Sequence, residues 1–211
     1  MQTTNISKKQ IQTMAIIHKI YFEKRCIVVN SSDMVEDAWD NQFWVVANEP
    51  FHAGDSFEFT AEVLAQENAE VGSQIHGKEP GTYMHWAAVG NIPFSTEWST
   101  YHATGTFPDE AEGGQSIAFN MNDFAAANTY VFGRISLKIN GVEMVNNGDL
   151  LTDDYSSFFK KEDRGFVVPA TISDGYTLLV RVPGEEEEEE VTPHNNSIDD
   201  IYNHRRPKNG S

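Results

Sequence analysis

The chain has 211 residues, 39% hydrophobic and 22% charged, with 15 Lys and Arg against 32 Asp and Glu for a formal net charge of −17. That balance disfavours duplex nucleic acid and anionic membrane surfaces, which both draw their partners through Lys and Arg, and no apolar run approaches the ~20 residues of a membrane span. Thirteen Phe, seven Tyr and four Trp suffice for a core, while the single cysteine, Cys26, excludes an intramolecular disulfide and a multi-cysteine zinc site.

In chain order, residues 1–25 form a basic leader in which Lys8, Lys9, Lys19, Lys24 and Arg25 face one acid, Glu23. Ile11, Met14, Ile17 and Ile20 fall near helical spacing, so Ser7–Arg25 is expected to be a helix with Ser7 as N-cap. The apolar stretch Met14–Ile17 is interrupted by His18 and Lys19, which argues against a signal peptide. Residues 26–183 read as strands. Ile27–Asn30, Gln42–Ala47, Ser56–Val63, Thr82–Trp86, Ser116–Asn122, Thr129–Ile139 and Tyr176–Val182 are short and rich in β-branched or aromatic residues. Turn formers such as Ala53-Gly54-Asp55, Pro80-Gly81, Gly113-Gly114 and Asn140-Gly141 separate them; only Asp123–Asn128 and the leader look helical. This pattern predicts an all-β fold, a β-sandwich of the jelly-roll kind. Glu185–Glu190 then opens an acidic linker or tail over 184–211, whose adjacent carboxylates repel and stay solvated.

Alternate side chains of a strand face opposite sides of its sheet, so each strand can be split into two faces. Phe57, Phe59, Ala61 and Val63 oppose Ser56, Glu58, Thr60 and Glu62, an ordinary dry face against a wet one. Elsewhere the face away from the core is different. Gln42 and Trp44 oppose Phe43 and Val45; Ala118, Asn120 and Asn122 oppose Ile117, Phe119 and Met121; Gln74 and His76 flank Ile75; Tyr83 and His85 oppose Met84 and Trp86. Amides and imidazoles can both donate and accept hydrogen bonds to hydroxyls, and flat rings offer apolar platforms to sugars. The candidate ligand-binding residues are therefore Gln42, Trp44, Gln74, His76, Tyr83, His85, Asn120 and Asn122, with Trp44 and Tyr83 as stacking rings. Trp86 and Trp98 are assigned to the core, Trp39 to a loop-borne lid, and Cys26 to an inert buried thiol.

The ordered run Asp40-Asn41-Gln42-Phe43-Trp44, Gly54-Asp55-Ser56-Phe57, Gly72-Ser73-Gln74-Ile75-His76, Pro80-Gly81-Thr82-Tyr83-Met84-His85-Trp86, Phe94-Ser95-Thr96-Glu97-Trp98 and Gln115-Ser116-Ile117-Ala118-Phe119-Asn120 resembles one family. This family comprises the β-sandwich carbohydrate-binding modules that accompany, or sit within, xylanases of gut bacteria. The resemblance covers about residues 26–140. It implies non-catalytic binding of xylan or a β-glucan, outside the cell or at its surface, beside an attached or neighbouring glycoside hydrolase, with no nucleic acid and no membrane insertion. The stretch 145–183, with Val145-Asn146-Asn147-Gly148-Asp149 and Ser156-Ser157-Phe158-Phe159, resembles the family's opening segment placed last. It either folds back to complete the sandwich or begins a truncated second module. The segment Ser197–Gly210 resembles the start of a sorting tail.

Related modules carry a structural calcium, held by acids where this chain has Leu150-Leu151 and Gly133-Arg134. Calcium takes six to eight oxygens, which an arginine cannot supply, so that site is expected to be lost and no cofactor is expected. His76 and His85 lack a third ligand for zinc. Glu97 and Glu110 could serve as a glycosidase pair only if held together across a scissile bond, and no spacing brings them there. The alternatives to glycan binding are a structural or adhesive β-sandwich with a protein partner and, less favoured, a glycoside hydrolase or lyase.

Overall fold

The computed structural model describes residues 16–22, 24–32, 37–78, 82–122, 126–162, 166–174 and 176–182, with side chains excepted at 16–22, 85, 86, 162, 166 and 176–182. The leader's first 15 residues with Ser7, the acidic run and the sorting-tail resemblance lie outside the described residues, as does the start of the predicted Asp123–Asn128 helix.

The strands run β1 (Ile16–Phe22), β2 (Cys26–Asn30), β3 (Gln42–Val46), β4 (Ser56–Ala65), β5 (Ala69–Val71), β6 (Ser73–His76), β7 (Tyr83–Trp86) and β8 (Ile92–Phe94). They continue through β9 (Ser99–Thr106), β10 (Ser116–Asn120), β11 (Thr129–Ile139), β12 (Val142–Glu143), β13 (Phe158–Glu162), β14 (Phe166–Pro169), β15 (Ile172–Ser173) and β16 (Tyr176–Val182). One sheet has the order β14-β13-β3-β10-β6-β7, the other β15-β2-β11-β4-β9 with β12 on β11, and β5 pairs with β8. Short 3-10 turns at Ala38–Asp40 and Asp109–Ala111 are the helical elements among the described residues.

The two sheets meet through the alternating apolar faces read from the sequence. Phe43, Val45, Ile75, Ile117, Phe119 and Phe158 of the first sheet are buried against Ile27, Val29, Phe59, Ala61, Val63, Phe132 and Leu137 of the second. Phe43 and Phe132 lie 4.4 Å apart between ring centroids and Phe59 and Phe119 5.5 Å, which ties the sheets directly. Each such side chain contributes about 1.5–3 kcal/mol by leaving water. The Asn140-Gly141 turn, φ 49° and 81°, suits a tight β11–β12 hairpin, because both residues tolerate the left-handed region. Asn140 also fastens the start of β4: its Oδ1 accepts from the Ser56 N–H at 3.0 Å.

The late segment folds back. β13 pairs with β3, setting Phe158 opposite Val45 and Phe159 opposite Trp44, and β15 pairs with β2, setting Ile172 opposite Ile27. Strands from 158–173 therefore sit in both sheets, and Phe158 enters the common core.

Two expectations are corrected, and one strand appears that the sequence does not mark. Ile16–Phe22 is a strand paired antiparallel with β16, Ile16 opposite Val182 and Phe22 opposite Tyr176, where a helix is expected. Ile16, Ile17, Ile20 and Tyr21 are β-branched or aromatic, and a pairing partner outweighs a weak helical spacing. The described part of Asp123–Asn128, residues 126–128, forms no helix: the Asn128 Oδ1 accepts from the N–H groups of Glu67 and Thr129 and so joins two strand ends. Ser99–Thr106, which no strand signal marks, is the β9 edge; its Ser, Thr and Gly residues lack the apolar alternation of a covered strand.

Candidate functional site

The outward face of the first sheet collects the residues that the alternation singles out. The register places Lys161, Gln42 and Asn120 in one row across β13, β3 and β10. The next row is Phe159, Trp44, Ala118 and Gln74, and the third brings Ser116, His76 and Tyr83 together.

β3 and β6 are separated by β10, so their backbones stand about 10 Å apart. Yet the Trp44 and His76 rings approach to 4.6 Å between centroids, and the Gln42 Nε2 lies 3.3 Å from Gln74 Oε1. Both pairs therefore lean across β10 and close over Ala118 and Ser116. The small side chain of Ala118 leaves room for this second layer.

A hydrogen-bond chain runs through the layer. Trp44 Nε1 donates to Gln42 Oε1 at 3.0 Å, and Gln42 Nε2 donates to Asn120 Oδ1 at 2.9 Å. His76 Nε2 lies 3.0 Å from Gln74 Oε1, an acceptor, so Nε2 carries the proton. His76 Nδ1 is then a bare acceptor, and it has no partner in the structure; Asn120 Nδ2 and Ser116 Oγ are likewise buried without one. Burial, aided by the Lys161 ammonium, pushes the His76 ring down to about 4, so it is neutral at pH 7.

The layer is closed rather than open. Trp44 is 2% exposed and Asn120 0%, so Trp44 is not the exposed platform that the alternation suggests. Its ring contact with His76 and its bond to Gln42 make it part of the layer's own packing. The accessible aromatic rings lie at the rims: Tyr83 is 52% exposed and meets the His76 ring edge-on at 5.8 Å, and Trp39 is 43% exposed. On β13, one strand in from the β14 edge, Lys161 Nζ donates to the Trp39 carbonyl at 2.8 Å, beside the half-buried Phe159.

Of the expected residues, the structure thus brings together Gln42, Trp44, Gln74, His76, Asn120 and Tyr83. Asn122 lies past the end of β10 and instead donates through Nδ2 to the Ser32 carbonyl at 2.8 Å. In β7 the pairing shifts between Ile75 and His76: Tyr83 is opposite His76, but His85 is opposite Ile75 and Trp86 opposite Gln74. The shift breaks the period of two, so Tyr83 pairs with an outward residue, His76, while His85 pairs with Ile75 of the core; the side chains of His85 and Trp86 lie outside the described residues. Ser116 shares the parity of Ala118 and Asn120 and was legible in the sequence. Lys161 and Phe159 were not, because β13 carries no strand signal.

The opposite sheet carries an ion cluster. Glu62 on β4 receives Lys24 Nζ at 2.7 Å, the Arg134 side chain at 2.8 and 3.1 Å, and the Arg134 N–H at 3.2 Å. Burial pushes this carboxyl up, but the Lys24 and Arg134 hydrogen bonds outweigh it and hold it down at about 2. Lys24 also sits 3.9 Å above the Trp98 ring, which is half-buried rather than in the core. A cleft of about 490 Å³ opens beside the cluster, lined by Thr60, Arg134, Lys138, Glu143 and Asp149 among others.

The two segments where the resemblance places calcium acids do meet, since the Ile135 N–H donates to the Gly148 carbonyl at 2.8 Å. Leu150 there is buried in the core, Leu151 is exposed, and Arg134 is committed to Glu62. These side chains offer no oxygen ligand, so they do not fit a calcium ion. Among the described residues no group of three His, Cys, Asp or Glu could hold a metal. Glu97 and Glu110 lie in separate turns, 95–98 and 109–111, and share no hydrogen-bond partner among the described residues. Cys26 is buried, and burial raises its thiol pKa, as expected of an inert thiol. No helix among the described residues is long and apolar enough to cross a membrane.

No family model matches the chain, and no curated protein matches it. Among solved structures the chain is similar to the ligand-free carbohydrate-binding module of PbXyn10C, with a TM-score of 0.57 and 12% identity, over 73% of this chain and 88% of that one. A carbohydrate-binding module of family 4 aligns at a TM-score of 0.41 and 17% identity, over 54% of this chain and 70% of that one. A family 29 module complexed with mannohexaose aligns at 0.39 and 13%, over 65% and 87%. At such identities the first likeness is one of fold: the chain has the β-sandwich fold of a carbohydrate-binding module.

Proposed function

We propose that the chain is a non-catalytic carbohydrate-binding module that holds a plant polysaccharide, xylan or a β-glucan, on the outward face of its first sheet. The observation that carries this reading is the neutral amide and imidazole layer, whose His76 Nδ1, Asn120 Nδ2 and Ser116 Oγ are an acceptor, a donor and a hydroxyl without partners. Each buried unmade hydrogen bond costs about 1–3 kcal/mol, which a sugar hydroxyl would recover. The exposed Tyr83 ring at the layer's edge supplies the apolar platform. In this reading the sugar docks on Tyr83, and the His76 and Trp44 rings part over β10 to admit its hydroxyls. Trp44 serves by holding Gln42 in place, not by stacking. Binding involves no chemistry. It keeps a neighbouring glycoside hydrolase or cell close to its substrate by raising effective concentration, outside the cell or at its surface.

Calorimetric titration of the full chain with xylohexaose, cellohexaose and mannohexaose tests this. Heat from at least one of the three, with binding about tenfold weaker in Tyr83→Ala, is the expected result. Silence from all three, with a protein that melts cooperatively, overturns it.

A further inference from the structure

We infer that the β13 side of this face reads a carboxylate, so that the preferred ligand is a polysaccharide bearing uronate groups rather than a wholly neutral one. The inference rests on the glycan-binding reading above and names its substrate class. Lys161 sits in the outward row opposite Gln42. Its Nζ is fixed by one hydrogen bond to the Trp39 carbonyl, 2.8 Å, which leaves two of its three N–H donors for another partner.

The chain's excess of acid makes an uncommitted ammonium informative. Lys24 and Arg134 are paired with Glu62, Arg25 with Asp153 and Asp174, and Lys138 with Glu58. Lys161 has no carboxylate partner among the described residues. Asp40, the acid nearest Trp39 in sequence, accepts instead from the Asp37 N–H at 3.3 Å within its own turn.

The ammonium is near enough to the layer to help depress the His76 ring, behind the larger effect of burial. Gln42, Gln74, Asn120, Ser116 and the neutral His76 carry no charge, so Lys161 supplies the charge at this end of the row. Phe159, two residues earlier on the same face, is half-buried, and the Trp39 ring is exposed. Apolar rings beside a half-buried ammonium suit a sugar ring with an acidic substituent. The net charge of −17 slows the approach of such a polymer, but beyond a Debye length of about 10 Å at 0.1 M salt that repulsion is screened, whereas the Lys161 contact is not.

The test is retardation of the full chain in native gels with two polymer pairs. Glucuronoxylan is compared with the same polymer after reduction of its carboxyl groups, and carboxymethyl cellulose with hydroxyethyl cellulose. The acidic member of a pair should bind about fivefold more tightly, as expected of one partly screened ion pair. Lys161→Met should erase that difference, and Lys161→Arg should keep it. Equal binding of both members, or a preference that survives in Lys161→Met or vanishes in Lys161→Arg, overturns the inference while glycan binding stands. No retardation by any of the four, from a protein that melts cooperatively, overturns the glycan-binding reading and this inference with it.

Discussion

Trp44 and Tyr83 are both outward-facing aromatic residues on the same sheet, but their surroundings assign them different consequences. Trp44 is buried, donates to Gln42 and packs against His76. Truncating it to Ala should cost about 3–5 kcal/mol, the usual loss for a buried large aromatic, and lower the melting temperature by roughly 10 °C. Tyr83→Ala, at an exposed edge, should leave the melt within about 0.5 kcal/mol and weaken glycan binding about tenfold. Calorimetric melting and titration of the two variants check the contrast; equal melts would place Trp44 outside the packing. The His76 ring gives a pH signature. Its folded pKa of about 4 lies below the ordinary 6.5, so between those values the unfolded chain binds a proton that the folded chain does not. Stability from this group is therefore full above about pH 6.5 and is lost as pH falls through 4. Glu62, held at about 2 against an ordinary 4.5, adds a second loss between those values. The melting temperature should be flat from pH 7 to 8 and fall in both acid windows, and His76→Gln should flatten the upper one.

Two late strands decide whether the sandwich closes. β13 covers β3 and β15 covers β2, and both come from the segment that follows the β11–β12 hairpin. A chain cut after Met144 would strip the far edge from both sheets and remove Phe158 from the core. We expect such a fragment to show no cooperative melt and to precipitate through its bared strand edges; a sharp transition by calorimetry would show that the late segment is dispensable. Much of this sandwich was legible. Thr129–Ile139 reads as β11 because the apolar run Tyr130–Phe132 is followed by Ile135, Leu137 and Ile139 alternating with Arg134, Ser136 and Lys138, and the Gln42–Val46 and Ser116–Asn120 faces follow from the same period. What escaped has a physical cause each time. β13 opens on two consecutive phenylalanines and then two lysines, so no period of two is visible; the neighbouring strand, not the local pattern, makes it a strand. In β7 the pairing shift reverses the faces after Tyr83, and a shift in register is a tertiary event that no single strand announces. The candidate layer was visible as a set of residue types, but its closure was not, because the approach of Trp44 to His76 across β10 depends on the small Ala118 between them.

At the scale of the whole molecule, the question is what ties the two halves of the second sheet where related modules are expected to use a metal. Here Glu62 of β4 is gripped by Arg134 of the β11 irregularity and by Lys24 ahead of β2, so three segments are joined by protein charges. A cation at Glu62 would have to displace the Arg134 and Lys24 side chains that already hold its oxygens. The expected consequence is quantitative. A resident site with micromolar affinity would gain about 4 kcal/mol at millimolar calcium, because stabilisation grows as the logarithm of ligand over Kd. In a domain of this length that gain would raise the melting temperature by roughly 8–16 °C. We expect calcium chloride and a chelator to give melts within about one degree of each other, once ionic strength is matched with sodium chloride to account for screening of the acidic surface. Glu62→Gln should lower the melt at both conditions by a similar small amount, about 1 kcal/mol for a partly screened ion cluster. A calcium-dependent rise in the parent chain that disappears in Glu62→Gln would instead make this carboxylate a metal ligand, and the cluster of Lys24 and Arg134 around it a substitute adopted only when the metal is absent.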